Sequence, residues 1–167
     1  MPMIARTLYL AAAAAGGSAT SQFPEFFQQY LQRLGGHADQ AAIQAARIRD
    51  AAAAEKLSLQ AYLDSFLNSQ ISAHRRQGEI LQVELGEADR LRQSLESLTQ
   101  SPVWQRPFLM ASQAETDILQ AAATAYQPAV PITPEGFIYA GIGALMAIIL
   151  LRSLRSIPSL FRRKAPQ

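Results

Sequence analysis

The chain contains no cysteine, which excludes disulfides, thiolate-held metal and a cysteine nucleophile. It has two histidines, His37 and His74. Asp39 is two residues from His37, and such a pair does not share a helix face. His74 is followed by Arg75 and Arg76, which repel a cation. The expectation is therefore no metal, no cofactor and no catalytic residue. A glycine-rich phosphate loop and a G-x-S-x-G turn are both missing. Serines are plentiful, but none has a histidine within reach by sequence logic. The chain reads as a non-enzyme. Large core side chains are also scarce. Alanine occurs 30 times in 167 residues, so the middle of the chain favours helix strongly while burying little per residue. Long helices in a thin layer, helped by a partner, are what such a composition predicts.

Two uncharged stretches bear on membrane insertion. The first is Phe137 to Leu151, closed at once by Arg152 and Arg155 and then by Arg162, Arg163 and Lys164. An apolar run ended by cations predicts a membrane-spanning helix with its far end in the cytoplasm. The second is Thr7 to Pro24, preceded by Arg6. Eighteen helical residues span about 27 Å, close to a hydrocarbon core. Its apolarity is mostly alanine, so two readings stand: a first membrane helix, or a cleaved signal peptide with Gly17 and Ala19 before the cut. Between Gln22 and Pro131, acidic residues outnumber basic ones, 12 to 9. The basic pI of about 9.2 thus comes from the ends and marks no nucleic-acid face. Short basic flanks stay inside, which predicts both termini in the cytoplasm and the middle in the periplasm of a bacterium.

The middle is helical throughout. Phe27, Leu31, Leu34, Ala38, Ala41, Ala45, Ile48 and Ala52 alternate at spacings of four and three. This is a coiled-coil-like seam, or equally the buried face of an ordinary bundle helix. Gly35-Gly36 is a weak point at roughly 1 kcal/mol per glycine. A second helix is predicted from Leu59 to about Ala73, a turn at Arg75-Arg76-Gln77-Gly78, and a third helix from Glu79 to about Gln100 with a stripe of Leu81, Ala88, Leu91, Leu95 and Leu98. Trp104, Pro107 and Phe108 read as an irregular connector, followed by a fourth helix from Ala111 to about Ala125. If the second and third helices form a hairpin, Gln70, His74, Arg75 and Arg76 stand at its tip. That cluster could dock an acidic partner or simply keep a turn soluble.

Pro128, Pro131 and Pro134 enforce extended backbone before the last helix, and Thr133-Pro134-Glu135 is a good helix start. Gly136, Ala140 and Ala144 recur every four residues, as do Gly143 and Ala147, giving small-residue faces suited to close helix packing in a membrane. The natural partner is the Ala/Gly-rich first segment. Pro158 is expected to end the helix. The cations Arg152, Arg155, Arg162, Arg163 and Lys164 fix topology or touch anionic lipid, at about 1 kcal/mol per charge.

Pro24 to His37 (PEFFQQYLQRLGGH) after an apolar segment, then Trp104-Gln105-Arg106-Pro107, then Tyr126 to Gly136 (YQPAVPITPEG) form a layout. That layout resembles a bacterial family of uncharacterised two-pass inner-membrane proteins, a domain-of-unknown-function family. The resemblance covers nearly the whole chain. It implies that residues 7–24 remain as an anchor, and it assigns no catalytic or binding residue. The fold expected is all-α, with two antiparallel transmembrane helices flanking a periplasmic helical hairpin or bundle. Residues 1–23 would be the first membrane helix, 24–130 the periplasmic domain, 131–157 the second membrane helix and 158–167 a basic cytoplasmic tail. The function expected is that of a scaffold or accessory subunit. Its partners would be other inner-membrane or periplasmic proteins, or a second copy of itself, with lipid around it and no nucleic acid. A sensor signalling through a separate subunit is the alternative, and a membrane-bound hydrolase is a third and less favoured one.

Overall fold

The computed structural model describes residues 3–128 and 132–161. Helix is the only regular structure among them. The elements are α1 (Met3–Ser21), α2 (Phe23–Ala54), α3 (Leu59–Leu67), α4 (Ser72–Gln100), a 3-10 turn (Val103–Gln105), α5 (Arg106–Gln113), α6 (Thr116–Thr124) and α7 (Pro134–Phe161). They group into two compact units. One comprises residues 1–28 with 125–167, the other Gln29–Thr124.

The first unit is built on α1 and α7. α7 starts where the sequence says it should: the Thr133 hydroxyl oxygen accepts the Gly136 amide at 3.1 Å, Pro134 needs no amide partner, and Glu135 faces the positive end of the helix dipole. The helix runs through Pro158 to Phe161. A proline forfeits one i→i−4 bond and strains the turn before it, and here the helix nevertheless continues past it.

The second unit is a layer of helices around α2 and α4. α2 passes unbroken through Gly35 and Gly36. Of its predicted seam, Phe27, Leu34, Ala38, Ala45, Ile48 and Ala52 are buried, and Leu31 and Ala41 partly so. Ala45 and Ile48 pack with Leu63 of α3 and with Leu85 and Ala88 of α4. The stripe therefore faces the chain's own helices, as in a bundle. Sequence spacing missed Tyr30, which is fully buried. The true stripe runs 27, 30, 34, 38, with Leu31 at its margin. On α4 the buried residues are Gly78, Leu85, Ala88, Leu91 and Leu98, and Leu85 lies outside the predicted stripe.

Two turns shape the unit. After α2, Lys56 adopts a left-handed φ of 57°. Its amide bonds the Ala53 carbonyl and the Leu57 amide bonds the Ala52 carbonyl, each at 2.9 Å. This is the Schellman closure, which glycine normally makes. Ser58 then caps α3 by accepting the Ala61 amide at 3.1 Å. The next turn lies at residues 68–71 and not at Arg75–Gly78, because Gly78 serves packing rather than turning. A Cβ there would lie 3.0 Å from the Leu67 amide nitrogen, from Leu67 Cδ2 and from Phe66 Cβ. The glycine lets the end of α3 lie directly on α4. The predicted fourth helix is in fact two, because the chain extends at Ala114 (ψ 134°) between α5 and α6.

These local geometries give opposite expectations for single substitutions, readable by thermal unfolding of the purified chain. Gly78→Val forces branched methyls against α3 backbone and should destabilise by about 1–3 kcal/mol. Gly86 has open space around it, so Gly86→Ala should stabilise by about 0.5–1 kcal/mol. Lys56→Gly relieves a left-handed residue and should stabilise by about 1 kcal/mol.

Candidate functional site

α1 and α7 meet backbone to backbone. A Cβ on Gly16 would lie 2.6 Å from the Gly143 carbonyl oxygen and 2.8 Å from the Ala147 methyl. One on Gly17 would lie 2.9 Å from the Ala140 carbonyl oxygen, with the Ala144 methyl at 3.6 Å. One on Gly143 would overlap the Thr20 side chain and the Gly16 carbonyl. No larger residue fits at these three positions without moving a helix. The pairing of Gly16 with 143–147 and of Thr20 with 139–143 makes the helices antiparallel. Thr20 adds the polar link: its hydroxyl lies 2.9 Å from the Gly16 carbonyl and 2.7 Å from the Tyr139 carbonyl across the interface. Gly136 is buried on the same helix, and Ala140, Ala144 and Ala147 are half-buried. Thr20 escaped the sequence reading, although Gly16 and Thr20 are themselves four apart and form a small-residue pair on α1.

An aromatic cluster closes one end of this unit. Phe23 stacks on Tyr139 (centroids 5.3 Å) and on Phe27 (5.8 Å), and Phe26 meets Tyr126 edge-on at 5.4 Å. The Tyr126 hydroxyl donates to Gln22 Oε1 at 2.8 Å. Burial, and then the nearby Glu25 carboxylate, raise the Tyr126 pKa.

Outside the seam, α7 shows its large side chains to the surroundings. Phe137, Ile138, Ile142, Leu145, Met146, Ile149, Leu150 and Leu154 are all exposed. Pro134–Leu154, 21 residues, is the one helix among the described residues long and apolar enough to cross a membrane. At 1.5 Å per residue it reaches about 31 Å. Only 6% of its most apolar window is buried, unlike the core helix of a globular domain. The expectation of two such helices is not met by this measure, because α1 draws its apolarity from alanine and glycine.

The second unit holds one polar constellation of interest. Tyr30 is wholly buried on α2, and its hydroxyl oxygen accepts the Glu115 amide at 2.9 Å. This occurs where the backbone extends between α5 and α6, so the phenol satisfies an amide that the helix break frees. Arg90 of α4 donates to the Glu115 carboxylate. Burial raises the Tyr30 pKa, although the bond from the Glu115 amide opposes the shift. The Arg90 guanidinium is raised chiefly by its bond to Glu115. Beside them opens a cleft of about 340 Å³ lined by His37, Glu87, Arg90, Leu91, Glu115, Thr116, Asp117 and Ile118. Its walls mix both charge signs, and among the described residues no three His, Asp or Glu side chains are placed to hold a metal ion.

The sequence matches the family described as "Protein of unknown function (DUF2937)" over residues 4–164. The chain belongs to this family. No curated protein and no solved structure matches it. The DUF2937 description carries no activity, so the roles of residues rest on geometry alone.

In this DUF2937 chain the predicted docking tip is half occupied by its own turn. Gln70, His74, Arg75 and Arg76 are all exposed. The Arg75 guanidinium, however, donates to the Ser69 carbonyl at 2.9 Å and to the Gln70 carbonyl at 3.2 Å. His74 Nδ1 lies 3.3 Å from the Ser69 hydroxyl, and its ring meets Phe66. These residues brace the α3–α4 turn, which starts earlier than predicted. Arg76 lies 3.8 Å from Glu79, both well exposed, a pair of little energetic weight. Of the basic tail, Arg152 is exposed and Arg155 falls within α7. Arg162, Arg163 and Lys164 lie outside the described residues, as do Ala129, Val130 and Pro131 of the proline-rich entry.

Two substitutions probe these contacts. Gly143→Leu should separate α1 from α7 and lower the resistance of the purified chain to denaturant by about 1–3 kcal/mol. Tyr30→Phe leaves the Glu115 amide without its acceptor and should cost about 1–3 kcal/mol at neutral pH. The phenol also has a pH signature. A native pKa raised above 10.0 means that the unfolded chain releases this proton first. The contribution is complete below pH 10 and declines as pH climbs through the native value. Tyr30→Phe should flatten that alkaline loss of stability, measured by denaturant unfolding across pH 9 to 11.

Proposed function

We propose that this chain is a non-enzymatic inner-membrane protein in which α1 and α7 both cross the bilayer as an antiparallel pair and present the unit from Gln29 to Thr124 on the periplasmic side. That unit acts by binding another protein, as a scaffold or accessory subunit. The observation that carries the membrane reading is the inverted packing of the pair: glycine and alanine face inward, while Phe137, Ile138, Leu145, Met146 and Ile149 face out. Water gives no reason for such an arrangement, whereas hydrocarbon solvates the large side chains and close small-residue packing holds the helices together. Alone, α1 is weakly apolar. Paired, it offers its glycines and Thr20 to α7 and leaves Leu8 and Leu10 outward. The basic residues beyond α7, together with Arg6 before the uncharged part of α1, orient both ends toward the cytoplasm.

The binding role is supported by the alanine-rich composition, which leaves the helical unit with few large buried side chains. Tyr30, Leu34 and Leu98 are its only large ones below 2% exposure among the described residues. A unit so lightly filled gains from a partner's surface. The mixed-charge cleft beside His37 favours a second reading, a sensor subunit whose ligand sits there, and a ligand-dependent rise in melting temperature would mark it.

Because the chain has no cysteine, topology can be read with single introduced thiols. With both helices spanning, Ala53→Cys should react with a membrane-impermeant maleimide in cells whose outer membrane is permeabilised. Gln167→Cys and Met3→Cys should react only after the inner membrane is broken. Protection of Ala53→Cys, or labelling at either end in intact spheroplasts, would contradict the two-pass arrangement.

A further inference from the structure

The eighteen residues between Glu96 and Glu115 carry one charge, Arg106, in a unit otherwise rich in both signs. Within this stretch Trp104 and Phe108, four residues apart across the start of α5, are 69% and 73% exposed. They are the most exposed aromatic side chains among the described residues of the unit. Pro102 is exposed beside them, and Pro107 stands in the first turn of α5. Large aromatic surface left open in this way marks a contact with something other than water.

Its position within the unit indicates what that is. The Ser97 hydroxyl donates to Gln113 Oε1 at 3.1 Å, tying the last turns of α4 to the end of α5. The Glu115 amide then bonds Tyr30, one residue past the unit's first, Gln29. The aromatic segment therefore belongs to the end of the unit where the chain enters. Seven residues lie between Ser21 and Gln29, and nine between Thr124 and Pro134, so entry and exit are a short covalent reach from α1 and α7. We propose that Trp104 and Phe108 form an interfacial anchor that dips into the headgroup region of a phospholipid bilayer. Tryptophan suits that depth, with an apolar ring and one N–H that finds a partner among headgroups and water. The one charge within the stretch, Arg106, is cationic, which suits anionic headgroups. This inference rests on the membrane-anchored reading proposed above.

Trp104 is the only tryptophan, so intrinsic emission reports this site alone. The test uses the full chain reconstituted in phosphatidylcholine–phosphatidylglycerol vesicles, floated on a density gradient and compared with the denatured chain. The anchor requires blue-shifted emission, strong quenching by lipids brominated near the glycerol end of the acyl chain, and several-fold weaker acrylamide quenching than in the denatured chain. Phe108→Ala should move the emission back toward the red. If the protein floats but acrylamide quenches it as fully as the denatured chain, the anchor is overturned while the membrane reading survives. The anchor is equally overturned if Trp104 is shielded from acrylamide yet untouched by brominated lipid, because a protein surface then covers it. If the protein does not float, both readings fall together.

Discussion

The close approach of α1 and α7 is the constraint on which the first unit depends. Gly16, Gly17 and Gly143 bring two backbones to a distance that no side chain tolerates, and only then can the Thr20 hydroxyl reach the Tyr139 carbonyl. Dispersion between helices falls steeply with separation, so a single added methyl forfeits contact along several turns. The same closeness explains why α1 can be so poor in leucine and isoleucine. Its affinity for α7 comes from shape, and shape is what glycine and alanine provide. A helix that is marginal by apolarity can still be held firmly when a neighbour covers one of its faces.

The second unit solves a different problem. Alanine makes good helices and thin cores, so specificity has to come from a few residues. Tyr30 is the clearest of them. It fills the space near the start of α2 and, through one hydroxyl, accepts the amide exposed where α5 gives way to α6. Arg90 then holds the Glu115 side chain from α4. Three elements are thereby registered by one aromatic ring and one carboxylate. Gly78 sets the α3–α4 contact in a similar way, by absence of a side chain.

Much of this was legible in the residues. The helical character and the cap at Thr133 follow from periodicity and local chemistry. So does most of the buried stripe along α2. What stayed hidden depended on partners distant in sequence. Gly78 looks like a turn glycine until Leu67 and Phe66 are seen against it, and that misreading moved the turn onto Arg75 and Arg76. Tyr30 looks like one residue too many beside a perfect heptad, because an i+3 step and an i+4 step are equally good helix geometry. The break at Ala114 has no glycine or proline to announce it. It is fixed by the bond its neighbour makes to Tyr30, more than eighty residues away. A candidate site built from that bond could not be read from spacing at all.

The helix pair also bears on the stability of the unit strung between its two halves. As long as α1 holds α7, about a hundred residues from Gln29 to Thr124 form a closed loop even when unfolded. Closing a loop of that length with a disulfide is estimated to remove roughly 4.7 kcal/mol of chain entropy from the denatured state. A helix pair that outlasts the unit's unfolding acts in the same sense, less sharply because its ends are looser than a covalent bridge. That contribution is comparable to the whole net stability of many small domains. It requires no further buried side chain, which is what a chain with 30 alanines and no cysteine is short of. The small-residue seam between α1 and α7 thus does for this chain what cross-links do for small secreted domains, and a thin alanine-rich bundle can remain folded because its two ends are never free to separate.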